Sequence, residues 1–183
     1  MQLFLIRHPL PKVAPGICYG RSDLALAGDV AAAAARIREQ LPAGLAIYSS
    51  PLRRCRELAA ALHPAPRHDD RLREMDFGDW EMQPWAAIQR AALDGWAADP
   101  LGYAPPGGES VGDLRRRVCE FVAGLGESGI AQAALVTHAG VIKVLAGLEG
   151  NLPARRWMSL AFDYECVVRI EVSPDMAHRT PGV

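Results

Sequence analysis

Three apolar runs in this sequence end on residues that hold or attack an anion. Leu3-Phe4-Leu5-Ile6 leads into Arg7 and His8. Leu45-Ala46-Ile47-Tyr48 leads into Ser49-Ser50-Pro51-Leu52-Arg53-Arg54. Ala133-Ala134-Leu135-Val136-Thr137 leads into His138-Ala139-Gly140. Arginine holds phosphate oxygens through a planar fork of N–H donors, and a neutral imidazole attacks phosphorus. A single Arg-His pair at a strand end also fits a strand capped by water or a carboxylate. Two histidines placed alike, with arginines behind a third run, are much harder to read as coincidence. Together they make a positive cleft suited to a dianionic phosphate. The sequence has no Gly-x-x-x-x-Gly-Lys loop and no acidic pair in a metal-site context. The arginines are therefore expected to supply the charge stabilisation that a metal would otherwise supply, with no cofactor. His63 and His68-Asp69-Asp70 match no familiar ligand spacing and read as surface-loop chemistry.

A proton donor is the remaining need. Leu72-Arg73-Glu74-Met75-Asp76-Phe77-Gly78-Asp79-Trp80-Glu81 mixes carboxylates with aromatic surface, a setting that raises carboxyl pKa values as a general acid requires. The same segment equally fits a loop pinned by Phe77 and Trp80 with its acids in water. Upstream, Gly16-Ile17-Cys18-Tyr19-Gly20-Arg21-Ser22-Asp23 lies in a long loop over 9–27. Gly20 there allows close backbone approach to a ligand, and Arg21 offers further positive charge or is merely exposed.

These residues must be carried by strands and helices. The first run is expected to be a buried parallel strand, whose carboxyl end is where ligands bind in open α/β sheets. An alanine-rich helix is expected over 29–41, with Asp29 as N-cap and Pro42 as its stop. A second strand covers 45–48. Ser50 and Pro51 then suit the cap and first turn of a helix to about Leu62, whose amino end faces any anion at the strand end. Residues 84–98 read as a helix, and 99–108 as a Pro/Gly-rich loop able to act as a lid. A helix over 111–125 presents Val111, Leu114, Val118, Phe121, Val122 and Leu125 on one face. The third strand, 133–137, precedes a helix over 141–149. Residues 164–172 suit a last strand at an edge, and the tail from 173 is expected to fray. The alternation predicts one α/β domain over 1–183, a three-layer sandwich with a mostly parallel sheet flanked by helices.

With these residues in place, the sequence resembles the histidine phosphatase (phosphoglycerate mutase-like) superfamily. The family's Arg-His-Gly corresponds to Arg7-His8-Pro9. Its Ser-x-Leu-x-Arg corresponds to Ser50-Pro51-Leu52-Arg53-Arg54 and selects Arg54. Its Glu-x-x-Phe/Tyr-Gly corresponds to Glu74-Met75-Asp76-Phe77-Gly78, and its Ser-His-Gly to Thr137-His138-Ala139. Gly108-Glu109-Ser110 is similar to a further Gly-Glu-Ser. The match runs from residue 3 to about 147. The resemblance implies that His8 is the nucleophile and that Arg7, Arg54 and His138 hold the phosphoryl oxygens. It implies Glu74 as the proton donor, with Asp76 and Glu81 as fallback acids, and Tyr19, Gly20, Arg21 and Ala139 beside the substrate. Three departures stand out. Pro9 replaces a glycine and removes an N–H, the family's Glu-Thr and nearby Asn downstream of the first motif are missing, and Ala139 replaces another glycine.

The loop over 16–23 is similar to that of bacterial α-ribazole phosphatases, which implies α-ribazole 5′-phosphate and cobalamin assembly. A broad phosphomonoesterase, a mutase and a silent phosphate-binding protein are the alternatives. Tyr19, Trp80, Trp85, Trp96 and Tyr103 either stack on a substrate or pack in the core.

Composition sets outer bounds. The 183 residues suit one domain, and half are hydrophobic, so disorder is not expected. A formal net charge of -1 argues against a nucleic-acid-binding surface. No apolar run reaches bilayer length and no signal peptide is apparent. The four cysteines (Cys18, Cys55, Cys119 and Cys166) form no C-x-x-C, as expected of a reduced cytoplasmic protein without structural zinc. The expected partner is a small phosphate ester, and the sequence leaves the oligomeric state open.

Overall fold

The computed structural model describes residues 1–173 and Met176; the expected fraying beyond 173 otherwise lies outside the described residues. Five strands form one sheet: β1 (Gln2–Arg7), β2 (Ala46–Ser49), β3 (Arg67–His68), β4 (Gln132–Thr137) and β5 (Val167–Glu171). Their order is β3-β2-β4-β1-β5. The first four run parallel, and β5 closes the far edge antiparallel to β1, with Ile6 opposite Val167.

The central strands explain the continuous apolar runs. In β1, Leu3 and Leu5 enter one core while Phe4 and Ile6 enter the other. Burial on both faces leaves no room for alternation with polar residues. Helices α1 (Val30–Arg38) and α2 (Arg53–Leu62) cover the Phe4/Ile6 face through Ala34, Ile37, Cys55 and Leu58. Helices α4 (Val111–Glu127) and α5 (Ala139–Glu149), with the short α6 (Ala154–Trp157), cover the other. All six residues expected on the buried face of α4 are buried. Ser110 closes a capping box with Asp113.

Several boundaries differ from the sequence reading. Helix α1 stops at Arg38 because Gln40 and Leu41 bond three residues back, tightening the turn ahead of Pro42. Leu52, not Ser50, stands at the N-cap of α2, although the Ser50 hydroxyl accepts the Leu52 N–H at 3.3 Å. The expected helix over 84–98 is broken. A 3₁₀ turn spans Trp85–Ala87 and α3 spans Arg90–Ala98, with Ile88 and Gln89 extended between them. Ile88 is drawn out of helical geometry into a satellite core with Cys18 and Trp80. Helix α5 starts two residues early, directly after His138. His68 belongs to the two-residue edge strand β3 rather than a loop.

Candidate active site

Arg7 and His8 leave β1, Ser49 and Ser50 leave β2, and Thr137 and His138 leave β4, all at the carboxyl edge of three adjacent parallel strands. Backbone bonds lock them together: His8 N–H donates to the Thr137 carbonyl at 3.1 Å and Ser50 N–H to the Val136 carbonyl at 2.9 Å. His8, Arg54 and His138 are buried, as is most of Glu74.

The His8 ring has a defined tautomer. Its Nδ1 lies 2.7 Å from the Pro9 carbonyl. A carbonyl only accepts, so Nδ1 carries the proton and Nε2 presents a lone pair. Arg54 Nε–H points at that same Nε2 from 3.3 Å. Burial first, and then the Arg54 and Arg7 charges, lower the His8 pKa to about 3, with the Pro9 carbonyl pulling the other way. His8 is therefore an uncharged nucleophile. Pro9 thus contributes a carbonyl at a position where it cannot contribute an N–H.

Arg54 reaches the site from the first turn of α2. Nη1 and Nη2 donate to the carbonyls of Ser22 (2.7 Å) and Gly20 (2.6 Å), which aim the guanidinium. Arg7 donates to the Phe162 carbonyl at 2.5 Å, and its Cζ lies 3.9 Å above the Tyr164 ring. Its Nε is buried without a hydrogen-bond partner. The His138 ring sits 5.1 Å from that of His8. His138 Nε2 meets the Ser50 hydroxyl at 2.8 Å and the Cys55 thiol at 3.4 Å. Burial, then Arg54 and His8, hold His138 well below the ordinary imidazole pKa. Ala139 opens α5, where helix N–H groups lack intrahelical acceptors and favour an anion.

Glu74 is placed by the same helix. Both carboxylate oxygens lie 3.1 Å from Gly140 N, and Oε1 also accepts the Met75 N–H at 3.0 Å. A Cβ on Gly140 would overlap Glu74 Oε1, so glycine at this position is what admits the acid. The fallback acids have other employment. Glu81 accepts the N–H groups of Arg21, Ser22 and Phe77 and the Ser22 hydroxyl. Burial raises its pKa, but these donors outweigh it and keep it ionised. Asp76 accepts the Gly78 N–H and faces Arg21 at 3.4 Å.

Other expectations need correction. The Arg21 guanidinium lies between Asp76 and Glu109, at 3.4 and 3.6 Å, so its charge is already matched. Gly20 is required for packing: a Cβ there would overlap the Met75 carbonyl oxygen. The expected lid over 99–108 is a buttress, fastened by Asp79 N–H to the Pro106 carbonyl, Glu109 N–H to the Asp76 carbonyl and Val111 N–H to the Pro100 carbonyl. Trp80, Trp85, Trp96 and Tyr103 pack with Phe77 in the satellite core. Of the proposed stacking residues only Tyr19 reaches the cleft, with the Arg54 Cζ 5.5 Å from its ring centroid.

Four residues at or behind the site escaped the sequence reading in these roles. Ser50 and Cys55 back His138. Tyr164 backs Arg7, and nothing in its local sequence distinguishes it. Arg117 donates to the carbonyls of Arg71, Arg73 and Glu74 and pairs with Glu109, so it holds the turn that carries the acid. Its partner Glu109 was visible only as part of Gly108-Glu109-Ser110. Among the described residues, no cluster of three or more His, Cys, Asp or Glu side chains is arranged to hold a metal.

Known proteins resemble this chain in sequence and in fold. The sequence matches the Histidine phosphatase superfamily (branch 1) over residues 3–178. It is 31% identical over 182 residues to a protein of Hydrogenobacter thermophilus named as phosphoserine phosphatase 2, covering 93% of this chain and 89% of that protein. It is 30% identical over 110 residues to the adenosylcobalamin/alpha-ribazole phosphatase of Escherichia coli K12, covering 58% of this chain and 54% of the relative. The fold matches the native structure of mycobacterial glucosyl-3-phosphoglycerate phosphatase with a TM-score of 0.79 at 30% identity, over 92% of this chain and 88% of the other. The same enzyme in complex with VO3 also matches at 0.79, covering 92% of this chain and 91% of that one.

Proposed function

Since the chain belongs to branch 1 of the histidine phosphatase superfamily, we propose that it hydrolyses small phosphate monoesters through a phosphohistidine on His8. The observation that carries this reading is the Nδ1–H bond to the Pro9 carbonyl, which leaves Nε2 unprotonated, its lone pair met only by the long Arg54 Nε–H contact, in a pocket flanked by two arginines. Nε2 attacks phosphorus, a P–N bond forms, and the P–O bond to the alcohol breaks. Arg7, Arg54, His138 and the first turn of α5 stabilise the charge on the three equatorial oxygens. Glu74 protonates the departing alkoxide. It then takes a proton from water, whose oxygen displaces Nε2 and releases inorganic phosphate. Throughout, Nδ1 keeps its proton and the Pro9 carbonyl stabilises the positive ring of the intermediate.

The substrate reading begins from α-ribazole 5′-phosphate and is widened by the relatives. They are named for phosphoserine, glucosyl-3-phosphoglycerate and α-ribazole phosphate hydrolysis, and the α-ribazole relative is the more distant of the three, at 30% identity over 58% of this chain against 31% over 93% and 36% over 63%. The four cysteines are free thiols, which fits a place in the cytoplasm. Among the described residues no helix is long and apolar enough to cross a membrane.

The test is phosphate release, with EDTA present, from α-ribazole 5′-phosphate, phosphoserine, glucosyl-3-phosphoglycerate and p-nitrophenyl phosphate. Turnover is expected on p-nitrophenyl phosphate and at least one natural ester, and it is expected to vanish in His8→Ala. A marked preference for α-ribazole 5′-phosphate would support the cobalamin assignment. A folded protein inactive on every ester, or a His8→Ala variant retaining near-normal rates, would overturn the reading. The first of these results would favour a silent binding protein.

A further inference from the structure

We propose that Tyr164, acting as a pair with Tyr19, is a further phosphoryl-binding element that closes the cleft over the substrate's phosphate. The inference rests on the cleft being a phosphate site, adds Tyr164 to it and gives Tyr19 a defined role there. The two tyrosines come from opposite ends of the chain, and their hydroxyl oxygens lie 2.7 Å apart. Each ring also flanks one of the two cleft arginines. Tyr164 lies under the Arg7 guanidinium, with its ring centroid 5.7 Å from that of His8. Tyr19 lies beside Arg54. The hydroxyl pair therefore spans the gap between the two cations intended for the phosphoryl oxygens.

A pair of hydroxyls has two protons and uses one in its own bond. The accepting hydroxyl keeps a proton to donate elsewhere. Burial, then the bond to Tyr164, raises the Tyr19 pKa well above the ordinary phenol value, so the Tyr19 hydroxyl stays a protonated donor at neutral pH. A phosphoryl oxygen held between Arg7 and Arg54 is the acceptor this arrangement lacks.

Tyr164 is itself firmly held. It sits in the connection that leads into β5, and that connection is tied down on either side of it. Lys143 Nζ donates to the Met158 carbonyl at 2.8 Å, and Arg7 donates to the Phe162 carbonyl. The Glu165 N–H donates to the Arg7 carbonyl, and the Glu165 carboxylate pairs with Arg36 at 2.6 Å. Glu165 adopts a positive φ of 64°, an uncommon backbone state for a residue other than glycine. Such bracing is more than a surface tyrosine requires.

The experiment measures orthovanadate and inorganic phosphate binding by calorimetry, and turnover of p-nitrophenyl phosphate, for the wild type, Tyr164→Phe, Tyr19→Phe and the double variant. Tyr164→Phe keeps the ring on Arg7 and deletes only the hydroxyl. Each single variant is expected to weaken vanadate binding and lower kcat/KM by about tenfold, the worth of one hydrogen bond to a charged group. The double variant is expected to lose little more, because the hydroxyls act as one unit. Tyr164→Leu, which also removes the ring from Arg7, is expected to lose more than Tyr164→Phe. Vanadate affinity and kcat/KM within twofold of wild type in folded Tyr164→Phe and Tyr19→Phe would overturn the inference and leave the pair as a fastener of the chain. A wild type that binds neither anion would instead overturn the phosphate site itself.

Discussion

At the scale of residues, Glu74 is set apart from its acidic neighbours by its contacts. Arg21 and the Gly78 N–H engage Asp76, and four donors engage Glu81. Glu74 alone sits on the first turn of α5, beside His138. Glu74→Gln keeps the size and an oxygen for Gly140 N–H but cannot deliver a proton to a departing alkoxide. We expect kcat on an alkyl phosphate to fall by about 10²- to 10⁴-fold. On p-nitrophenyl phosphate, whose leaving group needs no proton, the fall is expected to be much smaller. Equal losses on both esters would show that Glu74 is not the proton donor. The sequence made His8, Arg54 and His138 legible because each follows an apolar run. It ranked the three acids only through the resemblance, since the physical ground for that ranking lies in Gly140 and Ser22, which are remote in the chain. Tyr164 was hidden for the same reason: its partners, Arg7 and Tyr19, lie more than a hundred residues away.

At the scale of elements, the acid's position depends on a long-range clamp. Arg117, on α4, gathers three carbonyls of the turn over 71–74 and a nearly buried carboxylate, Glu109. Arg117→Ala removes the cation from this set. We expect a loss of about 3 kcal/mol, as for a broken buried ion pair, and a Tm about 10 °C lower. A drop in kcat is expected to accompany it while vanadate still binds, because the arginine–histidine set is carried by the sheet. Unchanged kcat in a destabilised variant would separate Arg117 from the placement of Glu74. The helices that cover the sheet were readable from apolar periodicity, as in α4. The break at Ile88 and Gln89 was not, because it is set by packing against Cys18 and Trp80 rather than by any local helix breaker.

At the scale of the whole molecule, two buried histidines make folding proton-sensitive. His8 binds a proton in the unfolded chain near pH 6.5 but in the folded one only near about 3, and His138 is shifted the same way. Between these values the unfolded state binds more protons, so the stability present above pH 6.5 is lost as pH falls toward 3. The urea midpoint is expected to fall steadily from pH 7.5 to 5.5, and His8→Gln to reduce that slope. A flat midpoint would mean that His8 and His138 take up protons in the fold. The sheet order has a further consequence, in time rather than space. Among the described residues β1 pairs only with β4 and β5, so this strand has no partner until residue 132 has been synthesised. At roughly 5–20 residues per second, Leu3 to Ile6 wait on the order of ten seconds as an unpaired apolar segment. The nucleophile's own strand is thus the one in the described sheet that stays unpaired longest during synthesis.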